Sequence, residues 1–356
     1  MRSVLILSYA VAGSIVAAFS VNDGQIGINS LERCNEAFAR VEVETNNRIS
    51  RRSFINISGA TLTGAIASPS LSCAATKEDS ANGKIILNSL QAEIAIENDP
   101  LALVDCISNL YKQIESKYTQ NGLVDYISIG TDADFPKLEK EMSKLENVSL
   151  KSMNTPTKMA FVINLYNTLI RVAFVTAGIP KNDLTRLSFF DKVAVNVGGD
   201  IFTFNDLENG ILSANSVPPY HLTKPFGKGD LRESFALTQT DPRIHFALNC
   251  GAKSCPAVRR YSADRLEEEL QAAAIAFCDD DSNVLLDGPK AELRVSKIFK
   301  WYNGDFSKGR VPLQILNYLT GEKKATLDEL VKSKSVSVDF AAYDWTTNDS
   351  RSKTFG

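Results

Sequence analysis

From Met159 to Phe174 the chain reads Met-Ala-Phe-Val-Ile-Asn-Leu-Tyr-Asn-Thr-Leu-Ile-Arg-Val-Ala-Phe, apolar on almost every face of a helix. A helix that is apolar all round has to be covered all round, so this segment sets the centre of whatever the chain folds into. Its ends are marked. Thr155 is a good N-cap, and Pro156 suits the first turn, where a missing N–H costs nothing. Gly178 can take the left-handed stop, and Pro180 prevents continuation. The spacing predicts a buried central helix over 155–178. Asn164, Asn167 and Arg171 interrupt it at spacings of three and four, on one side. A buried amide left unpaired costs about 1–3 kcal/mol, so this polar stripe either bonds neighbouring backbone or lines a site.

The elements around it are short. Helical patterns cover 85–96 and 101–118, separated by Asp99-Pro100, because Pro disfavours helix at the preceding residue. A charged surface helix follows over 132–145. Strands at 193–197 and 201–204 flank Gly198-Gly199-Asp200, a hairpin turn signal. Asn205 and Glu208 have capping-box spacing for the next helix. Ser262 is placed to cap a helix over 264–277, and two short strands surround Gly288-Pro289. Short helices at 296–302, 311–319 and 326–332 and an edge strand at 336–340 complete the chain. Helices cluster first and strands come in hairpins, so the class is α+β: a single domain with a buried central helix packed on a mostly antiparallel sheet.

The first 75 residues read as addressing rather than fold. Arg2 precedes an apolar run ending in small residues, which reads as a secretory signal peptide over 1–20 and is too short for a good membrane span. A transit-like polar stretch covers 21–49. Ser50-Arg51-Arg52-Ser53-Phe54-Ile55, a mildly apolar stretch and Ser72-Cys73-Ala74-Ala75 then resemble a twin-arginine export signal over 50–75. Stacked in this order, they resemble the import route to the thylakoid lumen of algae with complex plastids; secretion or a periplasmic location is the fallback. Glu32, Glu36, Glu42 and Glu44 are unusual for a transit peptide. What remains divides into N-terminal helices over 76–120 and a main domain over 121–345, with no membrane span expected. The formal net charge is −3 and no basic stripe interleaves with aromatics, so nothing supports nucleic-acid binding. Cofactor and partner have no sequence signal.

The mature chain keeps Cys106, Cys250, Cys255 and Cys278, and an even count outside the reducing cytosol permits disulfides. Two of these lie in Arg243-Ile244-His245-Phe246-Ala247-Leu248-Asn249-Cys250-Gly251-Ala252-Lys253-Ser254-Cys255-Pro256, which also holds one of the two histidines. Residues 243–248 alternate like a strand. On a perfect strand His245 and Cys250 would face opposite ways, so a dyad requires a break near Asn249-Gly251. Three chemistries compete. Cys250 could be a nucleophile with His245 as base, oriented by Glu208 or Asn164. Cys250 and Cys255 could form a disulfide, structural or redox-active, closing a loop worth only about 2 kcal/mol. A metal site built from His245, Cys250 and Cys255 matches no common zinc spacing, so none is expected. Beside these stands the plain alternative of a buried thiol and a satisfied core histidine.

Five segments occur in order: Gly122-Leu123-Val124-Asp125-Tyr126; Ala160 through Asn167; Leu207-Glu208-Asn209-Gly210-Ile211-Leu212; Asp241 through Pro256; and Ser296 through Tyr302 with Asp305-Phe306. Together they resemble the domain of unknown function 547 family over about residues 120–320. The resemblance implies a shared cluster of Asn164, Asn167, Glu208, His245, Cys250 and Cys255, but no established reaction. The chain departs from the family pattern at Asn209, where many members carry His, at Ser213 (often Arg) and at Val162 (often Trp). Loss of the His beside Glu208 weakens any mechanism that needs two imidazoles; His221, in a proline-flanked loop, could substitute. The expectation is a soluble lumenal domain with a Cys/His/Glu/Asn pocket. If it is an enzyme, the favoured chemistry is thiol-dependent hydrolysis or acyl transfer, with Cys250, His245, Glu208 and Asn164 acting and Asn167, Arg171 and Cys255 binding. The alternatives are a thiol–disulfide protein using Cys250 and Cys255, and a non-catalytic binding or assembly module.

Overall fold

The computed structural model describes residues 83–90, 99–306, 310–333 and 336–356, together with three strands near the start, Val4–Ser8, Val16–Asn22 and Gln25–Ile28. Those strands pair antiparallel in chain order, in a unit of their own. The transit-like reading from residue 29 on and the twin-arginine reading at 50–75 lie outside the described residues.

In the second unit the central helix runs Thr155–Thr176. Asn154 rather than Thr155 is its cap, its side chain accepting from the Thr157 amide at 2.9 Å. Every residue from 159 to 175 except Arg171 is buried. Among the described residues this is the one helix long and apolar enough to cross a membrane, but 89% of its apolar window is buried inside the protein, the position of a core helix. Helix Pro100–Lys117, capped by Asp99, packs along it, and helix Phe135–Ser143 packs against that one.

The class is α+β, with the strands divided among small sheets. Hairpin Val193–Val197 and Asp200–Thr203 turns through Gly198-Gly199, with Ile85–Ile86 parallel at its edge. Val284–Asp287 and Glu292–Val295 pair antiparallel, and Ser337–Phe340 adds a parallel edge strand. The last residues return to the body of the fold. Asp349–Arg351 pairs parallel with Leu123–Asp125, and Thr354–Phe355 pairs parallel with Ile179–Pro180.

Four local expectations are corrected. Residues 85–96 do not start as a helix, because Ile85 and Ile86 pair with Val193 and Ala194. The segment expected as a strand at 243–248 is a 3-10 helix, Pro242–Phe246, opened by Pro242 and by the Asp241 carboxylate, which accepts from the Arg243 amide. Ser262 caps no helix: it bonds Glu269, and the helix runs Leu266–Asp279. Asn205 and Glu208 make no capping box. Thr203 and Asp206 exchange backbone and side-chain bonds instead, at 2.9 and 3.0 Å, and open a π-helix over Asp206–Leu212.

Two apolar clusters result. One surrounds the central helix; the other gathers Phe246, Phe277, Leu293, Phe299 and Phe306. At about 1.5–3 kcal/mol per fully buried large side chain, both are substantial. The 3-10 helix stands at their seam. Ile244 and Ala247 enter the first cluster and Phe246 the second, while His245 packs against Tyr302 and Phe306 of the second.

The polar stripe of the central helix holds backbone. Asn164 donates to the Tyr261 carbonyl at 2.7 Å and accepts from the Tyr261 amide at 3.0 Å. Asn167 donates to the Ala247 carbonyl at 2.9 Å and accepts from the Asn249 amide at 2.8 Å. Arg171 pairs with Glu115 and lies over the Tyr111 ring. Asn167→Ala strands one buried acceptor and one donor, so we expect a loss of about 3 kcal/mol in urea unfolding with an unchanged slope. A loss below about 0.5 kcal/mol would contradict this role.

Candidate functional site

Asn167 fixes where the chain leaves the 3-10 helix, and the thiol loop begins there. Asn249 then ties both ends of the loop. Its side chain accepts from the Gly251 amide at 2.8 Å and donates to the Pro256 carbonyl at 2.7 Å. Gly251 has φ +86°, and a Cβ there would sit 2.4 Å from the Phe174 ring, so only glycine fits this turn against the central helix. The far side of the loop is held by the tail. The Lys253 amide donates to the Thr346 carbonyl at 2.8 Å, and the Asp344 amide donates to Ser254 Oγ at 2.9 Å.

This loop brings two free thiols together. Cys250 Sγ and Cys255 Sγ are 3.0 Å apart. Cys255 Sγ also accepts from the Cys250 amide at 3.3 Å and lies 3.3 Å from the Tyr343 hydroxyl. Burial pushes the Cys255 thiol up, but hydrogen bonds from the Cys250 thiol, the Tyr343 hydroxyl and the amides of Cys250 and Ala252 outweigh it and bring it from 9.0 to about 7. Cys250 moves the opposite way: its bond to Cys255, then burial, hold it well above the ordinary thiol range. The pair therefore carries one proton over a wide pH range, with Cys250 as donor and Cys255 as thiolate.

Both thiols border a cavity of about 390 Å³, in the range of small-molecule sites. Glu208 projects into it from the π-helix, a helix type often found at functional sites. Its two carboxylate oxygens accept from the Tyr166 hydroxyl at 2.9 Å and the Tyr302 hydroxyl at 2.6 Å. Burial, followed by the Glu208 charge, holds both phenols far above their ordinary range, so they stay donors. His245 stacks on Tyr302, with ring centroids 3.7 Å apart, and its Nε2 lies 2.8 Å from Asp305 Oδ2. The other ring nitrogen, Nδ1, is buried and has no hydrogen-bond partner; in the neutral tautomer that donates from Nε2 it carries the lone pair. Neither ring nitrogen bonds a thiol.

Of the residues singled out from sequence, Glu208, His245, Cys250 and Cys255 border one cavity. Asn164, Asn167 and Arg171 do not; they act on backbone and on Glu115. His221 reaches the rim, where Asp191 holds it at 3.1 Å. Sequence reasoning gave no site role to Tyr166, Arg186, Trp301, Tyr302, Tyr343 or Trp345. Tyr302 and Asp305 lay within the segments that carried the resemblance. Nothing local marks Tyr343, which reaches the thiols across 88 residues. Among the described residues no cluster of three or more His, Cys, Asp or Glu side chains could hold a metal ion.

Fold and site define an α+β domain that sets a thiol pair in an aromatic-walled cavity. Residues 150–278 match the model of the family described as a protein of unknown function, DUF547, and the chain carries a domain of that family. The matched segment includes the central helix, Glu208, His245 and both thiols. Tyr302 and Tyr343 lie beyond it. No curated protein and no solved structure matches the chain.

With Cys255 at about 7, its thiolate fraction and its iodoacetamide alkylation rate should rise about tenfold between about pH 6 and pH 8. Cys278, pushed up by burial, should stay slow. Tyr343→Phe removes one stabilising bond and should move the midpoint upward. Peptide mapping of the alkylated, reduced protein checks this, and a flat Cys255 profile over that range would contradict it.

Proposed function

We propose that this domain is a thiol–disulfide exchange module. The observation that carries the proposal is the 3.0 Å approach of Cys250 Sγ to Cys255 Sγ, with the thiolate favoured on Cys255. In the reducing direction the Cys255 thiolate attacks one sulfur of a substrate disulfide. That S–S bond breaks, the first substrate sulfur leaves as thiolate and takes up a proton, and a mixed disulfide remains on Cys255. Cys250 then loses its proton and attacks Cys255 Sγ. The second substrate thiol leaves, and the pair is left as an internal disulfide. Two electrons pass to the substrate, and the same steps reversed oxidise a dithiol. The stacked export signals support a working place outside the cytosol, in the thylakoid lumen of an alga with complex plastids, where such a couple can persist oxidised.

The second reading is thiol-dependent acyl transfer or hydrolysis. The unpartnered Nδ1 of His245 favours it, because a thiol nucleophile needs such a base. It has less support, since Asp305 holds the ring and Cys250 already hydrogen-bonds the more acidic sulfur.

Single variants separate the two. Given a small aromatic disulfide, Cys250→Ser should accumulate a stable mixed disulfide on Cys255, and Cys255→Ser should form none at that position. The wild type should end as an internal disulfide, two hydrogens lighter. Intact mass and peptide mapping read all three. A Cys250→Ser protein that releases its adduct as fast as wild type would refute exchange, and a wild type that cleaves an activated ester with that activity lost in Cys250→Ser would favour acyl chemistry.

A further inference from the structure

Helix Asp183–Lys192 carries an arginine that makes no bond to either thiol, though it feels their charge. Arg186 borders the same cavity, with its guanidinium 4.2 Å from the centre of the Trp345 ring. Its Nε is buried and has no hydrogen-bond partner, and among the described residues Arg186 makes no ion pair. Asp183 borders the cavity one turn earlier and acts on it through charge, without a salt bridge. Glu208 is committed to Tyr166 and Tyr302. Lys297 is a second cation on the cavity wall, also without an ion pair among the described residues. Arg186 and Lys297 are thus cavity cations without a salt bridge among the described residues; Arg186 feels the charge of Cys250, Asp183 and Cys255, but its Nε–H donor is still unused.

The arginine is also linked to the thiols through one aromatic wall. Trp345 packs on Tyr343 at 4.5 Å and on Trp301 at 5.6 Å between ring centroids, and the Tyr343 hydroxyl meets Cys255 Sγ. With its guanidinium over the Trp345 ring and its Nε–H without a partner, Arg186 offers a planar fork of donors that suits a flat, two-oxygen anion. A buried donor without a partner is costly, and a ligand oxygen removes that cost.

We infer that Arg186 is the recognition group for a carboxylate, held beside the thiol pair by the Trp301–Trp345–Tyr343 wall. Taken with the exchange reading, on which this last step rests, the substrate is a small thiol or disulfide that carries a carboxylate. The source of that carboxylate is either a free organic acid or the C-terminus of a peptide.

The chain has only two tryptophans, and both stand in this wall, so their emission reports the cavity directly. Reduced protein is titrated with 3-phenylpropionate, with 3-phenylpropionamide, and with a short peptide ending in phenylalanine, either free or amidated at its C-terminus. We expect saturable emission changes with a carboxylate form at least about tenfold tighter than its amide, as an arginine–carboxylate pair implies. The tighter of acid and peptide identifies the source. Arg186→Gln should abolish the preference, and Arg186→Lys should retain part of it and report an intact fold. Equal binding of acids and amides, an undiminished preference in Arg186→Gln, or no emission change with any probe would overturn the inference. The probes contain no sulfur, so this result stands or falls independently of thiol exchange.

Discussion

One amide side chain decides where the thiols can be. Asn167 stands on a helix buried from 159 to 175 except at Arg171, and it bonds the chain on both sides of Leu248, at the Ala247 carbonyl and the Asn249 amide. Those two bonds give the end of the 3-10 helix a fixed direction. Asn249 then closes the loop on itself, Gly251 makes the turn that Phe174 allows, and residues 344–346 hold the outer side. Each fastening engages a backbone group of the loop, so the loop geometry is over-determined. The sulfur–sulfur approach is a consequence of that geometry.

The site separates charge by assigning each acid its own donors. Glu208 has two phenols, and burial keeps both of them protonated. Asp305 has the His245 imidazole. Asp191 has His221 at the rim. Cys255 has a thiol, a phenol and backbone amides, which is why it rather than Cys250 is the more acidic sulfur. Residue order gives no hint of this reversal. It follows first from the contact between the two sulfurs, and Tyr343, which arrives from the far end of the chain, adds to it.

The parts of the fold legible in sequence are those where the cause is local. The central helix announces itself by composition and by Pro156 and Gly178, and the hairpin by Gly198-Gly199. The reading at 85–86 went wrong because pairing with Val193 and Ala194, not local periodicity, decides those residues. At 243–248 the apolar Ile244, Phe246 and Leu248 mimic one face of a strand, but on the 3-10 turn Ile244 and Leu248 enter one cluster and Phe246 the other. Glu208 had a capping role by spacing, and lost it because Thr203 and Asp206 were closer to hand. In the site, Glu208, His245 and the two cysteines were visible as chemistry-bearing types in marked segments. Arg186, Trp345 and Tyr343 were not, since an arginine on an amphipathic helix and aromatics near a tail have ordinary explanations until the tail strands fold back.

The most direct measurement of the central claim is the equilibrium of the purified protein with glutathione buffers of graded redox ratio, quenched in acid and weighed intact. A loop that holds the sulfurs together makes closure of the internal disulfide far more favourable than retention of a glutathione adduct. The account predicts two dominant species, the dithiol and the Cys250–Cys255 disulfide, interconverting reversibly, with the mixed disulfide minor at every ratio. A protein that forms no internal disulfide in the most oxidising buffer, or that rests as the glutathione adduct, contradicts it.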